Sequence, residues 1–142
     1  MKFVANGMVL SDAAFTVSKA CAVKTITPVL ECIKIVAKND VLTLTAYDGE
    51  ISIEKKINAE VFDEGEVCVN GKLFADFVGK ISSMEVVVDS DEKGIVIKYG
   101  ESETYMQTLN AEDFPVFSGD TIAEDKYFET KESDLKELIS KV

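Results

Sequence analysis

Hydrophobic and polar residues alternate along this chain with two periods, and the two succeed one another in a fixed order. A short apolar stretch, Lys2-Phe3-Val4-Ala5, reads as a strand. Leu10, Ala13, Ala14, Val17 and Cys21 then recur at the spacing of one helix face, which predicts a helix over 7–20 with Asn6 as its N-cap. The loop Val23-Lys24-Thr25-Ile26-Thr27 and Pro28 lead into three strands, over 29–37, 41–47 and 51–57. Alternation in Leu42-Thr43-Leu44-Thr45 and Ile51-Ser52-Ile53 marks the strands, and Asn39-Asp40 and Asp48-Gly49 supply the turns.

The same order repeats. Residues 66–69 read as a strand, and Asn70 caps a helix over 71–81 with an apolar stripe of Leu73, Phe74, Phe77, Val78 and Ile81. Three strands follow, over 84–89, 95–99 and 103–109, with turns at 91–94 and at Gly100-Glu101. Ile33-Lys34-Ile35-Val36 matches Met84-Glu85-Val86-Val87, and Tyr47 before Asp48-Gly49 matches Tyr99 before Gly100, at an offset of about fifty residues. Residues 1–109 therefore read as β-α-β-β-β twice. The fold class this predicts is α+β: two halves with pseudo-twofold symmetry, laying antiparallel sheets edge to edge with two helices on one face.

A longer repeat overlies the first. Phe3 and Phe128, Leu10 and Leu135, and Val17 and Val142 stand 125 positions apart. Residues 1–120 are expected to form one domain, and 121–142 a linker and the start, strand and first helix, of a second, truncated one. The short acidic stretch 117–125 is the expected linker.

Composition narrows the chemistry. The net charge is −11, a surface that on average repels nucleic acid, so any DNA contact must come from local lysines. All 15 basic residues are Lys, and Arg, His and Trp are missing. The bidentate guanine grip of Arg is therefore excluded, as are the usual general base and the commonest transition-metal ligand. Cys21, Cys32 and Cys68 lack metal-ligand spacing and read as buried, reduced thiols. No metal and no cofactor is expected, nor any membrane span, because no apolar run approaches ~20 residues. A signal peptide is not recognisable either, which points to the cytoplasm.

Several stretches together resemble the bacterial DNA sliding clamp, the beta subunit of DNA polymerase III. They are Met1-Lys2-Phe3, the loop Lys24-Thr25-Ile26-Thr27-Pro28-Val29-Leu30, the hairpin Leu42-Thr43-Leu44-Thr45-Ala46-Tyr47-Asp48-Gly49-Glu50, and the exit Leu109-Asn110-Ala111-Glu112-Asp113-Phe114-Pro115. The resemblance covers essentially the whole chain. It implies a DNA-clamp fold and a chain of three such domains, two copies of which close as a homodimeric ring around double-stranded DNA. Helices would line the hole and sheets the outer wall. The ring would tether the replicative polymerase, be opened by a clamp loader, and take partner peptides between its second and third domains, parts outside this chain.

On that footing helix geometry selects the lysines. If Leu10, Ala14 and Val17 face the sheet, the opposite face holds Met8, Asp12, Phe15 and Lys19. If Leu73, Phe77 and Ile81 point inward on the second helix, Lys72, Asp76, Gly79 and Lys80 face the hole. Lys19, Lys72 and Lys80 are thus the expected phosphate contacts, and the resemblance assigns the same role to Lys24. Asp12 and Asp76 oppose it. The last strand is expected to offer an edge to a partner subunit, with Thr104 and Met106 on the face that meets it. No catalytic residue is expected: a hydrolase built on Asp12, Asp48 and Glu50 would need a metal motif, nucleophile elbow or phosphate loop that the chain lacks. The remaining rival is a non-catalytic acidic protein-binding or DNA-mimic domain.

Overall fold

The structure, a computed structural model, describes residues 1–81, 85–115 and 128–142. In chain order the first half comprises β1 (Lys2–Asn6), α1 (Gly7–Ser18), β2 (Cys32–Lys38), β3 (Val41–Tyr47), β4 (Ser52–Asn58) and β5 (Glu60–Asp63). The second comprises β6 (Gly65–Asn70), α2 (Gly71–Val78), β7 (Glu85–Ser90), β8 (Gly94–Tyr99) and β9 (Ser102–Leu109). A last helix, α3 (Glu132–Ser140), lies beyond.

Both helices start the same way. Asn6 Oδ1 accepts from the backbone N–H groups of Met8 and Val9 at 3.0 and 3.2 Å, and Asn70 Oδ1 accepts from Leu73 N–H at 3.0 Å. Each cap satisfies donors that the first turn leaves without a partner, a contribution of about 1 kcal/mol. The repeat offset is not constant. It is 64 at the caps, Asn6 against Asn70, and 50 at Ser52 against Ser102, because α1 and its loop are longer than α2 and its own.

The sheet order is β4-β3-β2-β6-β9-β8-β7-β1-β5, antiparallel at every pairing. The halves do not simply lie edge to edge, because they exchange their first strands. β6 pairs with β2 of the first half, and β1 pairs with β7 of the second. The ends of the order, β4 and β5, are separated in sequence by Ala59 alone, so the sheet turns back on itself around one core. That core joins Phe3, Leu10, Val17, Ile33, Leu44, Phe74, Val78, Val86 and Ile97 from both halves.

The helices pack against each other, and their ends show that they run antiparallel. Gly71, at the start of α2, lies against Cys21 just past α1, while Gly79 at the end of α2 lies near Ser11. The expected face of α1 is observed, with Leu10, Ala13, Ala14 and Val17 buried.

Other elements depart from expectation. The segment Pro28–Glu31 is a 3-10 turn, closed by Leu30 N–H on Thr27 C=O at 3.0 Å, so β2 begins at Cys32 and not at 29. α1 and α2 end at Ser18 and Val78, short of 20 and 81. β5 was not expected; it pairs with β1. On α2 the inward residues are Gly71, Phe74, Ala75 and Val78, and Leu73, expected to face the core, is 63% exposed. With only eight residues α2 buries a single turn-to-turn stripe, and Leu73 falls beside it.

Met84, expected to start a strand, the expected linker 117–125, and Lys126 and Tyr127 lie outside the described residues. A helix was expected within 121–142 and α3 falls there, but Phe128 and Glu129 form no strand and every residue of 128–142 is exposed. No helix among the described residues is long and apolar enough to cross a membrane.

Candidate nucleic-acid interface

Packing α1 and α2 side by side turns their outer faces into one surface. It carries Met8, Asp12, Phe15 and Lys19 from α1 and its end, and Lys72, Leu73, Asp76 and Lys80 from α2 and its end, all exposed. Lys24 is exposed in the loop after α1. The lysines selected from sequence therefore fall on the helix layer and its adjoining loop.

Among the described residues, six of the other lysines are held in ion pairs, while Lys38, Lys93, Lys131 and Lys136 are not. Lys2, Lys34, Lys55, Lys56, Lys98 and Lys141 form ion pairs with Asp89, Glu66, Asp12, Glu54, Glu103 and Glu137. Among the described residues, Lys19, Lys24, Lys72 and Lys80 enter no such pair. Asp12, expected to oppose a polyanion, is matched by Lys55 from β4, which approaches it as a hydrogen-bonding ion pair. That pairing joins residues 43 positions apart, and only the fold reveals it. Phe15 is 59% exposed, and Lys19 Nζ lies over its ring, 4.7 Å from the centroid.

A second feature sits at the edge of the domain. β9 pairs with β8 along its length but with β6 only through Cys68↔Leu109 and Val69↔Thr108. From Ser102 to Gln107 its other edge meets no strand among the described residues. Beside it a cavity of about 750 Å³ is lined by Leu73, Phe77, Thr104, Tyr105, Met106 and Leu109, among others. Thr104 and Met106 are half-buried, with Met106 packed on the core, while Tyr105 at 50% and Leu109 are the exposed apolar members. Sequence reasoning missed Leu73, Phe77, Tyr105 and Leu109; the second register of β9, Glu103, Tyr105, Gln107, Leu109, held the signal for the last two.

The thiols are not a reactive site. Cys21, expected to be buried, is half-buried, and that burial still pushes its thiol up to about 12, with Cys32 adding to it. Burial likewise raises Cys32 to about 11 with help from Glu31, and Cys68 to about 12 with help from Cys32. The described residues hold no cluster of His, Cys, Asp and Glu suited to a metal ion. Asp48 and Asp91 are held below the usual carboxylate range by backbone N–H donors, from Ile51 and Glu50 in the first case and Lys93 and Gly94 in the second. Those bonds close turns, so neither carboxylate is poised for proton transfer.

Known proteins share this fold. The family described as "DNA polymerase III beta subunit, N-terminal domain" matches residues 1–118. A beta sliding clamp from Halalkalibacterium halodurans is 31% identical over 98% of this chain and 38% of its own length. Another, from Micrococcus luteus, is 28% identical over 81% of this chain and 37% of its own. The chain thus spans about a third of the length of the curated relatives it matches. Among solved structures, the Caulobacter crescentus pol III beta has a TM-score of 0.80 at 26% identity, covering 84% of this chain and 33% of that one. The Bacillus subtilis DNA polymerase sliding clamp has a TM-score of 0.79 at 27% identity, covering 82% and 33%.

Proposed function

The chain belongs to the DNA polymerase III beta subunit family, as its N-terminal domain, and from that premise we propose that it is the first domain of a processivity clamp. The whole protein would encircle duplex DNA as a homodimeric ring and tether the replicative polymerase in the cytoplasm. It would catalyse nothing. Polymerase, clamp loader and partner peptides would engage parts outside this chain.

The observation that carries this reading is the composition of the helix layer. Two antiparallel helices present Lys19, Lys72 and Lys80, with Lys24 beside them, in a chain of net charge −11. A sliding tether needs topology more than affinity. Strong phosphate contacts would stall it, and base-specific ones would park it. A few lysines give a weak, salt-dependent and sequence-blind attraction, and the acidic remainder keeps the rest of the surface away from phosphate. The β9 edge, with Thr104, Met106, Tyr105 and Leu109, is the surface proposed to meet the second subunit: open backbone groups beside exposed apolar side chains favour continuation of the sheet across an interface.

Backbone-amide titration of the 142-residue chain with a short blunt duplex at low ionic strength tests the DNA face. Shifts are expected at 7–24 and 71–80. Shifts confined to β3, β4 and β8, or none, would overturn the reading.

A further inference from the structure

Between the end of α1 and the start of α2 lies a cavity of about 430 Å³, lined by Phe15, Ser18, Glu31, Asn70, Lys72 and Asp76, among others. Phe15 is unusual there. Burying such a ring would stabilise the domain, yet here it stays 59% exposed. Lys19 covers one face of the ring with its ammonium, a cation–π contact that fixes the cation beside the cavity. Lys72 stands on the cavity's α2 wall.

An aromatic platform flanked by two ammonium groups is the recurring design of sites for single-stranded nucleic acid, in which bases stack on rings and phosphates meet cations. A duplex cannot use such a platform, because its bases are stacked on one another. We propose that this interhelical cavity holds one unpaired nucleotide of single-stranded DNA, its base against Phe15 and its phosphate between Lys19 and Lys72. Neither Lys19 nor Lys72 is in an ion pair among the described residues, so both ammonium groups are available to a phosphate. The carboxylates of Glu31 and Asp76 repel phosphate but accept hydrogen bonds from base amino groups, which favours cytosine over thymine. The inference rests on the reading that the helix layer meets DNA. Its consequence is that the surface distinguishes a primer end with an unpaired template from a continuous duplex.

The test titrates the 142-residue chain, its Phe15→Ala and Phe15→Leu variants, with oligodeoxycytidylate and separately with a blunt duplex. Phe15 lies outside the core, so both variants keep the fold's buried contacts. Oligodeoxycytidylate is expected to shift the Phe15 ring and the amides of Ser18 and Lys72. Both variants should weaken it by about fivefold or more, as loss of a stacking platform does, and by clearly more than they weaken the duplex. Equal losses for both nucleic acids would overturn the inference, as would duplex shifts on the helix layer without single-strand shifts at Phe15; the clamp reading would survive either result. If neither nucleic acid moves the layer, both proposals fall and the cavity is left to a protein partner.

Discussion

A Cβ placed on Gly71 would stand 2.3 Å from Cys21 Sγ and 3.1 Å from Ile33 Cγ1. The start of α2 therefore sits against the end of α1 closer than any side chain allows, and this contact sets the two helices shoulder to shoulder.

Gly71→Ala should destabilise the domain by about 1–3 kcal/mol through overpacking, despite the better helix propensity of Ala. Removing the thiol as well, in a Gly71→Ala/Cys21→Ala double variant, should recover part of that loss. Urea unfolding of the two singles and the double measures the coupling, and strict additivity would show that the sites do not touch.

The Asp12–Lys55 pair is the second lever. Asp12→Asn removes an anion from the helix layer and frees a lysine beside it. Duplex affinity at low salt should rise by a few fold, since each lysine counted against phosphate adds to the salt-dependent attraction. The pair is solvent-facing, so stability should change by less than about 1 kcal/mol. Fluorescence anisotropy with a labelled duplex reads the first effect and thermal unfolding the second.

Much of this was legible in the chain. Period-two alternation set β3, and the N-cap residues Asn6 and Asn70 marked both helix starts. Lys19, Lys72 and Lys80 could be placed on the helix layer because a helix's polar face is written in its spacing, and Lys24 was chosen because its loop resembled a family loop. The exchange of β1 and β6 was not legible, since which strand pairs with which is decided by the closed core and leaves no local period. Leu73 misled because an eight-residue helix offers two turns, too few for periodicity to separate a buried stripe from its neighbour. Lys55 was invisible as a partner for Asp12 because the pairing spans two elements.

The raised thiols set a pH dependence. A group whose pKa is higher folded than unfolded holds its proton in the native state, so its stabilisation is complete below the unfolded value and is lost above it. The unfolded thiols titrate near 8.5. Stability should therefore hold through neutrality and fall as pH climbs toward about 11 for Cys32 and about 12 for Cys21 and Cys68. Urea midpoints followed from neutral to alkaline pH check this, with Cys32→Ala/Cys68→Ala expected to flatten the decline. Native Cys32 and Cys68 should also resist a disulfide reagent at neutral pH and react on unfolding; prompt labelling of these two in the folded chain would contradict their protonated, buried state.

Alone, the 142-residue chain should neither remain on nicked circular DNA nor stimulate a polymerase, because attraction without ring closure gives no topological hold. Gel filtration of the chain with nicked circles measures retention directly, and co-elution at physiological salt would show that affinity, and not topology, keeps it there.

The lysine-bearing helix layer is tested most directly by the salt dependence of duplex binding. The logarithm of the association constant should fall with the logarithm of salt at about −0.9 per phosphate contact, or roughly −3 to −4 for four lysines. In a chain carrying Lys19→Ala, Lys24→Ala, Lys72→Ala and Lys80→Ala together, that slope should collapse toward zero. An unchanged slope would mean that phosphate meets some other surface, and the assignment of this layer to DNA would be wrong.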